Sequence, residues 1–416
     1  MMDILRIRNE FPALAVTDGG RPRLYLDAPG GTQACRRAIA AMAAHLETGT
    51  ANSGGAFATS LATDAMSEAA HAAMADLLGG SPDEIAFGPN MTSLTFAVSR
   101  ALGRRFAAGD ELVVTRLDHD ANVAPWLLLA RDLGMNVRWL DFDPESGRLR
   151  LDELPGLLGP RTRLVAVGGA SNALGTVNDV AAITGMVREA SDALVYVDAV
   201  QSVPHLATDV TALGCDFLAC SPYKFFGPHQ GVLWGRRALL EGLEVYKLRP
   251  SPDWPAAVRF ETGTPSFEGQ AGTIGAVEHI AWIGETWGGE TSGGGGGGTR
   301  RERIVAGMEK VAAHERQLSE LFLAGLQRLP RLRLFGPPEA EGRVPTFSVT
   351  IEGLTARQAA ERLAERNIFA WSGNFYAKEA VTRLGLDAAG GLLRLGFCQY
   401  STAGEVERLL EALEAV

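Results

Sequence analysis

A lysine and an aspartate, each at the end of an apolar run, are the residues of this sequence best suited to chemistry. Lys224 follows the run at 216–220 and precedes a stretch rich in glycine, and Asp198 ends the run that begins at Leu194. A lysine held in a pocket can form a Schiff base with an aldehyde, and a nearby acid can keep a pyridine nitrogen protonated, so that the ring accepts electrons. A lone lysine would be read as a solvated surface charge. The pairing with Asp198 instead predicts a pyridoxal phosphate site.

The bulk composition predicts a globular protein with a small-molecule ligand. The chain has 416 residues, enough for two or three domains, and its net charge of −10 argues against nucleic acid and against an anionic membrane surface. The N-terminus lacks the apolar core of a signal peptide, and no stretch approaches the roughly 20 apolar residues of a membrane span. The four cysteines, Cys35, Cys215, Cys220 and Cys398, lack metal or redox spacing. We therefore expect reduced thiols, no metal site and a cytoplasmic protein.

Short apolar runs alternate with helical patterns in the middle of the chain. Three runs each precede a helical pattern: 85–87 before 93–102, 111–115 before 125–133, and 163–167 before 180–191. This order predicts an α/β fold with a parallel sheet covered on both faces. Ligands of such sheets bind at the carboxyl ends of the strands, where Gly88, Asn172, Asp198 and Lys224 all fall.

A composition break separates this region from a smaller α/β unit. Residues 284–299 contain six consecutive glycines and are predicted to be a linker or surface loop. Beyond it we expect a long helix at 301–329, strands at 346–351 and 392–397, and helices at 355–366 and 402–416. The predicted division is an N-terminal segment (1–24) packing with the small domain, a large domain (25–290), a glycine-rich linker or loop (291–300) and a small C-terminal domain (301–416).

Five motifs taken together resemble the class V aminotransferases, and more closely their cysteine desulfurase branch. They lie at 118–126, 171–177, 198–201, 221–224 and 261–265. The resemblance extends from Tyr25 to Arg394 and implies a fold type I enzyme that depends on pyridoxal 5'-phosphate. It further implies a large domain with a mixed, mostly parallel seven-stranded sheet, a smaller C-terminal α/β domain, and a homodimer with active sites at the subunit interface.

The resemblance also implies a role for individual residues. Lys224 would carry the cofactor as a Schiff base and move protons at the substrate α-carbon, Asp198 would pair with the pyridine nitrogen, and His119 would stack on the ring. Gln201 would bind the phenolic oxygen. Asn172 would bind that oxygen or the substrate carboxylate.

The phosphate and the substrate carboxylate would be held by further groups. The loop before the helix at 93–102 is a ready anion site, formed by Asn90, Met91 and Thr92. Desulfurases carry a threonine where Met91 stands, so backbone amides, Asn90 or Thr92 must contribute more here. The remaining assignments are Ser221 to the phosphate, Tyr223 to the phosphate or to packing, Thr264 to the phosphate of the other subunit, and Arg394 to the substrate α-carboxylate.

Two departures separate this sequence from the desulfurases. The loop that carries their catalytic cysteine reads 371–377 here, and the aligned residue is Tyr376, whose phenol cannot form a persulfide. Cys398 lies beyond Arg394, where we expect an inert, buried thiol. In addition, 51–57 replaces a basic, histidine-rich substrate loop with glycines, which makes the pocket roomier and less charged.

These observations predict a pyridoxal phosphate enzyme acting on an amino acid, without persulfide formation. The favoured reactions are β-elimination, as in a C–S lyase, and transamination. Epimerisation is an alternative, with Tyr376 or Tyr223 as the second acid. The other alternative is a regulatory protein that binds the cofactor or a metabolite without catalysis. Fold alone does not choose among them.

Overall fold

Helices and strands alternate through the computed structural model, which describes residues 2–289 and 298–416. Most of the predicted linker, residues 291–297, lies outside the described residues. The helices are α1 (Ile4–Arg8), α2 (Arg36–Glu47), α3 (Ala58–Leu78), α4 (Met91–Gly103), α5 (Ala124–Leu133), α6 (Leu154–Leu157), α7 (Val180–Ala190), α8 (Val210–Leu213), α9 (Arg237–Gly242), α10 (Phe267–Trp287), α11 (Arg300–Leu326), α12 (Ala356–Ala364), α13 (Lys378–Arg383) and α14 (Ala403–Glu414). The strands are β1 (Thr17–Asp18), β2 (Arg21–Pro22), β3 (Leu24–Tyr25), β4 (Ile85–Gly88), β5 (Glu111–Thr115), β6 (Asn136–Leu140), β7 (Thr162–Gly168), β8 (Leu194–Asp198), β9 (Phe217–Cys220), β10 (Gly231–Gly235), β11 (Leu332–Phe335), β12 (Thr346–Ile351), β13 (Ile368–Phe369), β14 (Trp371–Gly373) and β15 (Leu392–Gly396).

Seven strands form the main sheet, in the order β4-β10-β9-β8-β7-β5-β6. Strand β10 runs antiparallel to both of its neighbours, and the other pairs are parallel. Successive side chains of β8 enter different cores, with Val195 and Val197 in one apolar cluster and Tyr196 in another. A strand buried on both faces reads as a continuous apolar run, which is the pattern from which the sheet was predicted. The predicted fold class, with its mixed and mostly parallel seven-stranded sheet, is confirmed.

The small sheet is antiparallel and has the order β11-β12-β15-β14. Its core includes Phe322 of α11, whose ring lies 4.7 Å from that of Phe347 and 5.5 Å from that of Phe397. Helices α12 and α14 begin one residue later than predicted, because Thr355 and Thr402 are their caps, each within a capping box.

The N-terminal segment contacts both units. Strand β3 pairs with β13, and Arg8 donates to the Tyr400 carbonyl at 2.6 Å, whereas the Arg6 guanidinium lies 5.4 Å from the Trp282 ring centre on α10. The segment therefore contacts residues on both sides of the glycine-rich stretch, and its packing with a small domain stays a prediction. The domain boundaries themselves stay a prediction.

The linker or loop that the glycine content predicted from residue 284 does not begin there. Gly284 lies inside α10, which continues to Trp287. A Cβ at Gly284 would overlap the Arg303 carbonyl of α11, and one at Gly307 would lie 2.4 Å from the Ile280 carbonyl oxygen. These glycines let two long helices approach closely, which is a packing role that composition alone does not distinguish from a loop.

Candidate active site

Two predicted site residues lie where β8 and β9 end at the same edge of the sheet. Asp198 is the last residue of β8, and its carboxylate accepts a hydrogen bond from the Val200 amide at 3.0 Å. Lys224 lies in the short turn after β9, and its Nζ donates to the Pro29 carbonyl at 2.5 Å. The Gln201 amide donates to the same carbonyl at 2.7 Å. The loop at Pro29 is thus a shared anchor for two predicted site residues, and sequence reasoning did not assign it a role.

Burial shifts the pKa values of Lys224 and Asp198 toward neutrality. Desolvation, followed by the Arg394 charge, lowers the pKa of Lys224 to about 7, although Asp198 and Asp27 oppose the change. Desolvation raises the pKa of Asp198 to about 6. A lysine whose pKa lies near neutrality has a large fraction of free amine, the nucleophilic form.

His119 lies on the loop after β5 with a defined tautomer. Its Nδ1 accepts a hydrogen bond from the Ala121 amide at 3.0 Å, so the ring proton resides on Nε2. Burial, with the nearby charges of Lys224 and Arg394, lowers the pKa of His119 to about 4. The ring is therefore neutral near neutral pH, which suits stacking on a planar ligand.

Asp118 is a buried carboxylate of the site that sequence reasoning did not single out. It accepts hydrogen bonds from Thr115 at 2.8 Å, Asn122 at 2.7 Å and the Gly168 amide at 2.9 Å. Burial and the charge of Asp198 raise its pKa to about 7. Its position just beyond β5, at the carboxyl end of an interior strand, was the available signal.

The predicted anion loop forms the N-terminus of α4. The Asn90 side chain caps the helix by accepting from the Ser93 amide at 2.8 Å, so that side chain is already engaged. The Met91 side chain is buried in the core, with the Thr95 hydroxyl 3.5 Å from its sulfur. The first amides of the helix and the exposed Thr92 hydroxyl are the donors left for an anion.

Ser221 and Tyr223 precede Lys224, Ser221 as the cap of its short turn and Tyr223 within that turn. Ser221 is buried, and the Tyr223 ring stacks on His229 with centroids 4.6 Å apart and an interplanar angle of 9°. The Lys224 Nζ lies 5.0 Å from the centre of the Tyr223 ring. Packing is thus an observed role of Tyr223.

Arg394 projects from β15 into the site and has a free donor. Its Nη1 donates to the Asn172 carbonyl at 2.9 Å, and its guanidinium lies 4.3 Å from the centre of the Phe375 ring. Its Nε and the Asn172 Oδ1 are buried and have no hydrogen-bond partner among the described residues. Burial lowers the pKa of Arg394 to about 9. Buried polar groups without partners indicate that a ligand completes the site.

Tyr376 lies at the mouth of the site, beside His119. The two rings are 5.5 Å apart, and the Tyr376 carbonyl accepts from the Asp120 amide at 2.7 Å. The preceding carbonyl, that of Phe375, accepts from the Asn172 side chain at 2.8 Å. The loop in which sequence reasoning expected the main departure therefore contacts two of the other predicted site residues.

These groups surround one cavity of about 1020 Å³, named here the central cavity. The predicted residues that line it are Asn90, Met91, Thr92, His119, Asn172, Asp198, Gln201, Ser221, Tyr223, Lys224, Tyr376 and Arg394. Thr264 does not join them. It lines a separate cleft of about 340 Å³ together with Gly88 and Glu261.

The central cavity fits pyridoxal phosphate. It combines a buried amine, a buried acid, the N-terminus of a 13-residue helix and polar atoms that lack partners. In the described part of the chain, no group of three or more histidine, cysteine or acidic residues could hold a metal ion. All four cysteines are buried, and none lines the central cavity. Residues 2–289 and 298–416 include no helix with the length and hydropathy of a membrane span.

Comparisons with known proteins agree with this geometry. The family model described as aminotransferase class-V matches residues 24–292 and 303–409. The chain is 32% identical over 436 residues to the "Probable cysteine desulfurase" of Streptomyces coelicolor, covering 100% of this chain and 97% of that protein. It is 31% identical over 428 residues to the "Aminotransferase-like protein FGM3" of Gibberella zeae, covering 99% and 98%. The apo cysteine desulfurase structure from Thermococcus onnurineus NA1 has a TM-score of 0.87 and 25% identity, covering 100% and 98%.

Proposed function

Because the chain belongs to the class V aminotransferase family, we propose that this pyridoxal phosphate-dependent enzyme catalyses β-elimination, as a C–S lyase does, on an amino acid. The chain is a class V, cysteine desulfurase-like enzyme, and its cofactor is pyridoxal phosphate.

The residues that would hold the cofactor lie along the inner side of the central cavity. Lys224 would bind its aldehyde carbon and Asp198 its pyridine nitrogen. The phosphate would lie at the N-terminus of α4, near Ser221. When bound, the cofactor supplies an electron sink for the pair left at the substrate α-carbon.

The chain's own residues would bind the substrate and move its proton. The Arg394 guanidinium would hold the α-carboxylate, using the Nε that lacks a partner among the described residues. The Lys224 amine would take the α-proton, because its lowered pKa of about 7 suits a base at neutral pH. The neutral His119 ring would cover one face of the site and exclude water.

One observation favours elimination over persulfide formation: the described residues that line the central cavity include an amine base and a carboxylate clamp but no thiol. Persulfide formation needs a cysteine thiolate at the reacting sulfur. Cys398 is wholly buried, and burial raises the pKa of its thiol, so the unreactive protonated form prevails. Elimination needs a base but no nucleophilic thiol.

The proposed reaction balances without an added oxidant or reductant. The Cα–H bond breaks and its proton passes to Lys224, and the Cβ–S bond breaks with its electron pair leaving on sulfur. The sulfur takes up a proton. Water then hydrolyses the remaining three-carbon fragment, so that a cysteine conjugate plus water gives a thiol, pyruvate and ammonium.

Product analysis of the holoenzyme with S-methylcysteine, cysteine and common amino acids tests this function. We expect pyruvate, ammonium and thiol in equal amounts. A keto acid that retains the substrate carbon skeleton, with no pyruvate from the conjugates, would instead establish transamination. Loss of optical activity with no net product would establish epimerisation.

We further propose a cytoplasmic homodimer with shared active sites. Its support is the position of Thr264, which lies outside the central cavity but lines a cleft with Gly88, the last residue of β4, and with Pro89 of the loop before α4. Mixing a Lys224→Ala subunit with a Thr264→Ala subunit tests sharing. If Thr264 serves the site of the neighbouring subunit, each mixed dimer has one intact site and about half the activity of the unsubstituted dimer. No restoration of activity would refute the shared site.

A further inference from the structure

We infer that the substrate side chain is neutral, bulky and apolar, with an aromatic group or a large alkyl group beyond the β-carbon. The inference rests on the proposed function for the positions of the substrate amine and carboxylate. It depends on three aromatic residues of one segment, Trp371, Phe375 and Tyr376, which are named here the aromatic wall. All three line the central cavity.

Each member of the aromatic wall contacts a different part of the site. A Cβ built on Gly30 would lie 2.5 Å from the Trp371 Nε1, so the indole rests on the loop that anchors Lys224. The Phe375 ring lies under the Arg394 guanidinium, and the Tyr376 ring is beside His119. A substrate held by Arg394 and Lys224 would therefore meet an aromatic face along its outward side.

Two members of the aromatic wall are exposed in the single subunit. Trp371 is 55% and Tyr376 is 72% exposed there. Grouped exposed aromatic rings at a concave site typically mark a binding surface, since single exposed apolar side chains need no explanation but clusters do. Their position at a cavity that already contains a carboxylate clamp indicates an apolar substrate group as the occupant.

Two residues of the aromatic wall have an unfavourable backbone conformation. Phe375 and Tyr376 have φ values of 55° and 58°, in the left-handed region that costs a residue with a side chain. Hydrogen bonds from the Asn172 side chain and the Asp120 amide to their carbonyls keep them there. Backbone strain of this kind clusters at ligand-binding sites. The strain is thus tied to two residues of the same site.

Volume and charge narrow the substrate class further. The central cavity, at about 1020 Å³, slightly exceeds the roughly 300–1,000 Å³ of small-molecule sites, so it leaves room beside the proposed cofactor for more than a small side chain. Ala121, Ala124 and Pro125 add apolar surface. Asp120 and Asp387 also line the cavity, and their charges would oppose an acidic side chain.

Binding of amino acids that lack a leaving group separates this inference from the reaction. We expect phenylalanine to perturb the visible absorption of the holoenzyme's cofactor with an apparent Kd about tenfold below that of alanine, because ring burial adds apolar and stacking contacts. Aspartate should bind more weakly than alanine. Equal affinities for phenylalanine and alanine would overturn the inference.

Variants of the aromatic wall test whether it causes the preference for phenylalanine over alanine. Trp371→Ala and Tyr376→Ala should each reduce the ratio of the alanine Kd to the phenylalanine Kd at least about threefold. Tyr246→Ala is the matched control, because Tyr246 is 62% exposed but does not line the central cavity. A preference unchanged in both wall variants would also overturn the inference.

The two proposals fail in different ways. If the phenylalanine preference is found but S-benzylcysteine yields no pyruvate, the substrate class stands and the elimination fails. If S-methylcysteine and S-benzylcysteine yield pyruvate with equal kcat/KM and the phenylalanine preference is absent, the elimination stands and the substrate class fails.

Discussion

The two sides of the central cavity are built differently. The inner side consists of groups at the ends of regular elements: Asp198 at the end of β8, Lys224 after β9, and the N-terminus of α4. The outer side is the aromatic wall, which spans β14 and the loop after it, where Phe375 and Tyr376 are both left-handed. Rigid elements fix the groups that the proposed chemistry requires, whereas a loop can vary in sequence without disturbing the sheet. We therefore propose that the inner side carries the chemistry shared with the family and that the outer side sets the substrate preference.

Replacing the inner lysine should have the largest effect. Lys224→Ala removes the amine that would bind the cofactor and take the α-proton, so product formation should fall by about 10³-fold or more. The visible absorption of the lysine-bound cofactor should be lost as well. Lys310→Ala, on α11 and outside the central cavity, is the matched control. Retained turnover in Lys224→Ala would mean that the chemistry does not reside on the inner side.

Crowding the anion loop should have the next largest effect. A Cβ at Gly231 would lie 2.2 Å from the Asn90 carbonyl carbon and 2.6 Å from the Met91 nitrogen, which displaces the start of α4. Gly231→Ala should weaken cofactor affinity about tenfold or more, as measured by equilibrium dialysis. Gly185→Ala in α7 meets open space and should stabilise the fold by about 0.5–1 kcal/mol with cofactor affinity unchanged. Equal affinities in the two variants would contradict an anion site at α4.

The electrostatics of the inner side predict a pH dependence. A lowered pKa enlarges the neutral fraction of an amine, so Lys224, at about 7, should bind added cofactor about tenfold faster at pH 8 than at pH 6 and level off above. Stopped-flow absorbance of the cofactor-free protein measures this rate. The control is Nα-acetyllysine in solution, whose ε-amine is free. Its rate of reaction with the cofactor should rise until about pH 10. A protein rate that still climbs between pH 9 and 10 would mean that Lys224 is solvated.

Removing one outer hydroxyl should have the smallest effect. Tyr376→Phe keeps the ring beside His119, so elimination should change less than about twofold if the aromatic wall acts by packing. An epimerase that used this phenol as its second acid would lose about 10²-fold or more. Loss of optical activity and pyruvate release, measured in parallel, distinguish the two.

The inner side was predictable from sequence because its residues follow recognisable strands. Apolar runs ending in Asp198 and Lys224 identified both the sheet and its functional edge. The close packing of α10 on α11 was not predictable, because Gly284 reads equally as a loop residue. The contact of the Pro29 carbonyl with Lys224 and Gln201 brings together residues far apart in sequence, and no local pattern announces it.

The sequence predicted only that the outer side differs from that of the desulfurases. Sequence comparison identified Tyr376 where a thiol was expected, but left its surroundings open. The left-handed backbone of two aromatic residues contradicts their local preference, and tertiary hydrogen bonds from Asp120 and Asn172 decide it.

The central claim is that elimination replaces persulfide formation. Incubation of the holoenzyme with cysteine, followed by quantification of pyruvate, ammonium and alanine, tests it most directly. Elimination predicts sulfide, pyruvate and ammonium in equal amounts, with no alanine and no sulfur bound to the protein. Alanine released together with a protein-bound persulfide would contradict the account.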